Sequence, residues 1–403
     1  MDKNTFFTGQ PIFTQLLKFI PRDKVQRLAG QHKTDRYYKR FKTYEHLVTM
    51  LYTCFHGCKS IREVTTGMQV CFSKLQHLSM RCIPRRSTLS DANKVRNPDF
   101  FSQLYHHLYQ SYYGTLPDSR MKKSLDKRLF IIDSTTIKLF SDVMKGLGKK
   151  PVNGKQKGGV KAHVLLKSDE DVPRFVCLTH GAANDRILLR KIKLEPGSIL
   201  VFDRGYNHYY QMDQWTKQRI TWVSRILPEA SYQVLQHYHV PDHAAKKGVL
   251  ADEQILMGRH SNKQTTKITA RKITFRDQLT NRVFEFVTNN TKLSSLTIAD
   301  LYKKRWQIEL LFKRIKQNYP LRYFLGDNEN AIRIQIWCAL ITDLLVKIVK
   351  DRTKRKWSYA NIASMIRLHL MSYVNLFRFL NNPEKAVQHS HPLKNTGQLA
   401  FET

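Results

Sequence analysis

Two aspartates stand inside apolar runs that read as strands, where a carboxylate needs a reason. Asp133 follows Leu-Phe-Ile-Ile, and Asp203 follows Ile-Leu-Val-Phe and precedes Arg204-Gly205-Tyr206. Aspartate is depleted in strands and costly to bury unpaired. A strand-end turn or a buried ion pair explains one such residue. Two in one sheet would come side by side, and carboxylates that close repel unless a cation lies between them. A third acid, Glu309, sits in a predicted helix among Ile308, Leu310, Leu311 and Phe312. At 100° per residue, Tyr302, Arg305, Glu309 and Lys316 fall within about 60° of one another on one helical face. A solvated charged face is the plain alternative. A lone acid flanked by apolar residues, sharing its stripe with a guanidinium, an ammonium and a phenol, instead suits a metal ligand beside phosphates.

These residues need elements to position them. From Arg128 the chain reads as strands: RLFIIDSTTIKLF, then KAHVLLK and RFVCLTH across the acidic turn Ser168 to Pro173. A helix is expected from about Asn184 to Ile192. The buried strand SILVFD, a helix over Tyr209 to Gln218 and a fifth strand, ITWVSRI, follow. Three hairpin-linked strands and then strand–helix alternation predict a mixed α/β sheet with helices on its faces. Between the first two strands lies a Gly- and Lys-rich loop with Lys149, Lys150, Lys155, Lys157 and Lys161, readable as a DNA-channel wall or as an exposed hairpin. Residues 227–296, with SYQVLQHYHV, KITARKITF and RVFEFVTNN, read as an inserted β-rich subdomain. One long helix is expected from Thr297, with Asp300 in its first turn, to Pro320. His163 and His180, flanking the sheet, read as structural histidines.

The flanks are helical. PIFTQLLKFI opens at Pro11 and stops before Pro21; a second helix spans Tyr44 to about Phe55, and others start at Ser60 and Ser87 as N-caps. The last two resemble a helix-turn-helix pair, a spacing that helical bundles also show. From about Glu329 two or more helices with basic faces lead to a polar tail. The expected boundaries are 1–122 (helical, DNA-binding), 123–226 (catalytic, first part), 227–296 (insertion), 297–350 (catalytic, last part) and 351–403 (helical, with tail).

Composition narrows the partner. The 403 residues carry 68 Lys and Arg against 32 Asp and Glu, a net charge of +36. With 41% hydrophobic and 11% aromatic residues the chain is expected to fold. So large a positive excess calls for a polyanion, and nucleic acid fits better than a membrane because the cations run through the whole chain. The stretch Ile334 to Val349 contains Gln335, Asp343 and Lys347, so it reads as a buried helix, and the N-terminus has no signal-peptide core. An intracellular protein is expected. Six cysteines, unevenly spaced, suggest no disulfide framework. Cys54, His56 and Cys58 lie in an apolar helical stretch and read as core packing, not zinc.

The spacing Tyr302-x2-Arg305-x3-Glu309-x6-Lys316 closely resembles the YREK signature of DDE insertion-sequence transposases, in the branch called the insertion sequence four family. IIDST around Asp133 and FDRGY around Asp203 resemble its first two acidic motifs, and FVTNN and the β-rich insertion match its layout. The resemblance implies a ribonuclease H-like catalytic domain with a β insertion ahead of the helix bearing Glu309. It implies a DNA transposase in which Asp133, Asp203 and Glu309 hold two Mg²⁺ ions, with Mn²⁺ able to substitute. Arg305, Lys316 and Tyr302 would contact DNA phosphates. A base flipped at a hairpinned end would stack on an aromatic of the insertion, with Phe284 and Phe286 as candidates and core packing as the competing role for both. Double-stranded DNA (terminal inverted repeats and target), a homodimer in the synaptic complex and a bacterial, cytoplasmic, nucleoid-associated location are further expectations. The alternatives are a non-catalytic DNA-binding protein derived from a transposase, a ribonuclease H-like repair or junction nuclease, and a basic RNA-binding protein.

Overall fold

A computed structural model of the chain describes residues 9–80, 82–112, 125–138, 159–181, 183, 188–189, 191–261 and 264–388. Lys149, Lys150, Lys155 and Lys157, and most of the helix expected from Asn184, lie outside the described residues. The chain divides into two compact units, one formed by residues before 116 and after 317, the other by those between.

The first unit begins with α1 (Ile12–Leu17), α2 (Arg22–Gln31), α3 (Thr43–His56), α4 (Ile61–Val70), α5 (Phe72–Leu75), α6 (Arg86–Val95) and α7 (Asp99–Tyr112). Ser60 caps α4, its hydroxyl accepting the Glu63 N–H at 3.2 Å. Ser87 is not a cap: Arg85, extended after Pro84, holds the N-cap position without a side-chain bond, and Ser87 falls inside the first turn of α6. Cys54 and Cys58 are buried, and His56 packs on the Tyr52 ring at 4.3 Å.

Among its described residues the second unit has nine strands: β1 (Leu129–Lys138), β2 (Gly159–Lys167), β3 (Pro173–His180), β4 (Ile199–Phe202), β5 (Thr221–Arg225), β6 (Tyr232–His237), β7 (Val249–Ser261), β8 (Gln264–Arg276) and β9 (Val283–Thr288). Its helices are α8 (Tyr209–Lys217), α9 (Asp242–Ala245), α10 (Ser295–Lys303) and α11 (Trp306–Asn318). The sheet order is β3-β2-β1-β4-β5-β9-β8-β7-β6. β1, β2 and β3 run antiparallel, while β4 is parallel to β1 and β5 to β4. That is the ribonuclease H-like arrangement. β5 then pairs antiparallel with β9, so the inserted strands extend the same sheet. His163 is buried in β2 with Nε2 2.9 Å from the Thr179 hydroxyl, whereas His180 ends β3 exposed.

Side chains alternate between sheet faces, so odd and even positions of β1 and β4 enter different cores. Phe130, Ile132, Leu200 and Phe202 pack with Trp215 and Trp222. Leu129, Ile199 and Val201 pack on the other face with Ile298, Leu301 and Tyr302 of α10. Asp133 and Asp203 carry odd numbers, which turns them toward the α10 face.

The remaining helices are α12 (Glu329–Arg352), α13 (Tyr359–Leu368), α14 (Leu376–Asn381) and α15 (Pro383–Gln388), in the first unit. α12 is buried from Ala331 to Val349 with few gaps. Its polar residues are satisfied: Gln335 Nε2 donates to the Pro320 and Tyr323 carbonyls, Asp343 accepts from Tyr359 at 2.7 Å, and Lys347 pairs with Asp351. Among the described residues no helix is long and apolar enough to cross a membrane.

Candidate active site

Register brings the two aspartates together. In the parallel β1/β4 pair, Ile132 lies opposite Phe202, so one further step places Asp133 beside Asp203. Two further steps in the β4/β5 pair, from Val201 opposite Val223, lead to Asp203 and Arg225. Arg225 Nη2 stands 3.5 Å from Asp203 Oδ1. The Arg225 carbonyl in turn accepts from Asn207 Nδ2 at 2.9 Å, which ties the end of β5 to the turn after Asp203. Sequence reasoning passed over Arg225, although equal counting along two parallel strands points to it.

The single helix expected from Thr297 to Pro320 is two. α10 is capped by Ser294, not Thr297, and ends at Lys303; α11 starts at Trp306. Between them the backbone tightens, with Arg305 N–H donating to the Tyr302 carbonyl at 3.0 Å and Gln307 N–H to that of Lys304. Adjacent side chains diverge by about 100° in a continuous helix. Here Lys304 pairs with Asp126, while its neighbour Arg305 reaches Asp133 and Glu309. Long-range ion pairs thus accompany a break that no Gly or Pro signals.

Five of the six polar candidates gather at this break, and Lys316 lies farther along α11. Arg305 lies between two of the acids: Nη1 donates to Asp133 Oδ2 at 3.0 Å and Nη2 to Glu309 Oε1 at 2.5 Å. The Tyr302 hydroxyl donates to Asp203 Oδ1 at 3.2 Å. Lys316, four residues before Pro320, donates to Thr135 Oγ1 at 2.6 Å and to the Thr136 carbonyl at 3.2 Å. Burial pushes the Asp133 carboxyl up to about 6; the Ser134 N–H and Arg305 oppose the rise, and Asp203 and Glu309 add to it. Burial also lifts the Tyr302 phenol to about 12, so it remains a donor. Burial, reinforced by Lys138, lowers the Lys316 ammonium.

The donor set was tested against a divalent cation. As they stand, no three His, Cys, Asp or Glu side chains among the described residues converge tightly enough to hold a metal. Arg305 already supplies positive charge to Asp133 and Glu309. The raised Asp133 carboxyl nonetheless registers both other acids, so the three share one field. Oxygen ligands without imidazole or thiolate match a hard ion of the Mg²⁺ kind. The residues fit such an ion once Arg305 turns aside.

The two aromatic candidates part company. Phe286 is buried, stacked on Phe284 with centroids 6.0 Å apart and packed on Tyr302 at 4.9 Å. Phe284 lies outside it, half-buried, and both rings line a cavity of about 990 Å³ with Arg225, Tyr302, Arg305 and Trp306. Trp306 is 58% exposed and Leu310 53%. Large apolar side chains one turn apart, open on the helix that carries Glu309, are the signal that sequence reasoning missed.

Residues 8–81 match a domain of unknown function (DUF4372). A protein of Sinorhizobium fredii named as transposase y4zB is 28% identical over 318 residues, which span 79% of this chain and 86% of that one. A protein of Geobacillus stearothermophilus, named as a transposase for insertion sequence element IS5377, is 26% identical over 259 residues, 64% of each chain. A solved synaptic complex of piggyBac transposase with hairpin DNA superposes with a TM-score of 0.45 at 8% identity, covering 96% of this chain and 83% of that chain. Residues 124–343 match the model described as "Transposase DDE domain"; this is more than half of the chain, which therefore belongs to the DDE transposase family.

Proposed function

We propose that this DDE transposase is the enzyme of an insertion sequence of the YREK branch, which cuts at its element's terminal inverted repeats and joins the freed ends to target DNA. The observation that carries this is the meeting of Asp133 and Asp203 on neighbouring parallel strands with Glu309 across Arg305. Asp133, Asp203 and Glu309 would hold a pair of Mg²⁺ ions, or Mn²⁺ in their place. When bound, such a pair activates the attacking oxygen and stabilises the leaving one.

The protein's own groups supply the rest. Tyr302, its hydroxyl 3.2 Å from Asp203 Oδ1, holds that carboxylate in orientation from the core side. Arg305 would offer its fork of donors to a phosphate beside the cut. Lys316, steadied by Thr135 and Thr136, supplies a second phosphate contact. In a hairpin route, the outer face of Phe284 and the open Trp306 ring offer surfaces on which an extruded base can stack. Phe286 contributes from beneath, as the packing behind Phe284. The working complex would be a homodimer on paired DNA ends, in the nucleoid of a bacterial cytoplasm.

The test is cleavage of a duplex carrying the element's own ends, with Mg²⁺. Asp133→Ala should abolish nicking and leave end binding nearly intact. Nicking by the variant at the wild-type rate would remove Asp133 from the site. A wild-type protein that binds the ends and never cuts would favour the non-catalytic, transposase-derived alternative.

A further inference from the structure

The segment between α2 and α3, HKTDRYYKRFK, exposes an unusual surface. Lys33, Arg36, Lys39, Arg40 and Lys42 are all exposed, five cations within ten residues. Its one acid, Asp35, accepts from both the backbone N–H and the hydroxyl of Thr43, at 2.6 Å each. Among the described residues none of the five cations pairs with a carboxylate. Tyr37 is 86% exposed at φ +70°, and the Arg36 guanidinium lies 4.9 Å from its ring centre. Lys33 also adopts a left-handed φ, of +52°. Bulky residues seldom take that conformation, and where they do the surroundings must hold them there.

The surroundings do so. Arg96, at the end of α6 and only 2% exposed, donates to the carbonyls of Phe41 and Lys42 and lies over the Tyr38 and Phe41 rings. Buried Thr34 and the Asp35–Thr43 bonds close the other side. Glu45 accepts from the Lys42 N–H at 3.2 Å, fixing the entry into α3. The loop is therefore a rigid, cationic ridge that holds a phenol outward.

We propose that the ridge formed by Lys33, Arg36, Tyr37, Lys39, Arg40 and Lys42 grips the phosphate backbone of duplex DNA, which gives the domain matched over residues 8–81 a DNA-holding role. The inference rests on the reading of the chain as a DNA transposase and deepens it. Duplex DNA presents about one negative charge per 1.7 Å of axis, a density that five uncompensated cations match, and arginine and tyrosine are common phosphate donors. A lipid surface fits less well: the ridge has no apolar face to bury among acyl chains.

The experiment measures binding of the full chain, in EDTA so that no cutting occurs, across a series of KCl concentrations. The probes are a duplex bearing the element's end, an unrelated duplex of equal length, and vesicles of phosphatidylserine and phosphatidylcholine. The double variant Lys39→Ala, Arg40→Ala should lose affinity for both duplexes by the same factor, about tenfold, with the log–log salt slope shallower by about two. Tyr37→Gly relieves the left-handed φ, so it should keep or raise the melting temperature while weakening both duplexes. If wild type binds DNA steeply with salt and the double variant keeps both slope and affinity, the ridge assignment is overturned while the transposase reading stands. Loss of vesicle binding with DNA binding unchanged overturns it in favour of lipid. A wild type that binds neither duplex overturns the reading beneath it as well.

Discussion

Lowering the pH tests the core of the site most directly. Asp133 is held at about 6 instead of its ordinary 3.8, first by burial and then by the other acids. A metal needs the ionised carboxylate. Near pH 7 about nine-tenths of such a group is ionised, and near pH 5 about one-tenth, so affinity for Mn²⁺ should fall about tenfold between them. An aspartate at its ordinary value would lose less than about one-tenth over that interval. The stability effect runs the other way with pH. A folded-state pKa raised above the unfolded one contributes stability below about pH 4, and this is lost as pH rises through about 6. Two units correspond to about 3 kcal/mol, and partial solvation of Asp133 reduces the expected loss to about 1–3 kcal/mol. Titration calorimetry with Mn²⁺ at stepped pH reads the first effect, and melting curves of wild type against Asp133→Asn, both in EDTA, read the second. A flat Mn²⁺ affinity between those two pH values would refute the reasoning, because it would mean that Asp133 is either already ionised or not a ligand.

Two further outcomes follow from the same geometry. Arg305→Gln leaves Asp133 and Glu309 without their shared cation, so in EDTA it should cost about 1–3 kcal/mol, the buried-pair figure reduced for a partly exposed glutamate. Added Mn²⁺ should then raise its melting temperature by more than it raises that of wild type; a deficit untouched by metal would mean that Arg305 does not stand where the metal goes. Tyr302→Phe keeps the ring packed on Phe286 and removes only the donor to Asp203. Stability should change by less than about 1 kcal/mol and end binding should hold, while nicking slows about tenfold. An unchanged nicking rate would show that the hydroxyl does not orient Asp203.

Local chemistry wrote much of this protein legibly into its sequence. Short runs rich in apolar residues specify β1 to β5, and alternating β-branched and aromatic residues three of the four inserted strands, because both are properties of neighbouring residues in the chain. One acid inside an apolar strand, one at the end of another and one among apolar helical residues are legible for the same reason: their cost in those places is local. β7 was missed, since its buried Ile255 and Met257 are diluted by polar residues that only pairing with β6 and β8 makes a strand. Tertiary structure alone decided the break at Lys304 and Arg305, where side chains from two neighbouring positions answer carboxylates far away in the chain. It alone decided that Phe286 is buried while Phe284 is only half-buried, and that Trp306 is left open. It also set Arg225 against Asp203, through a register counted from two other strands. Periodicity fixes which face a residue takes within its own element; what stands opposite that face depends on contacts that no short stretch of chain contains.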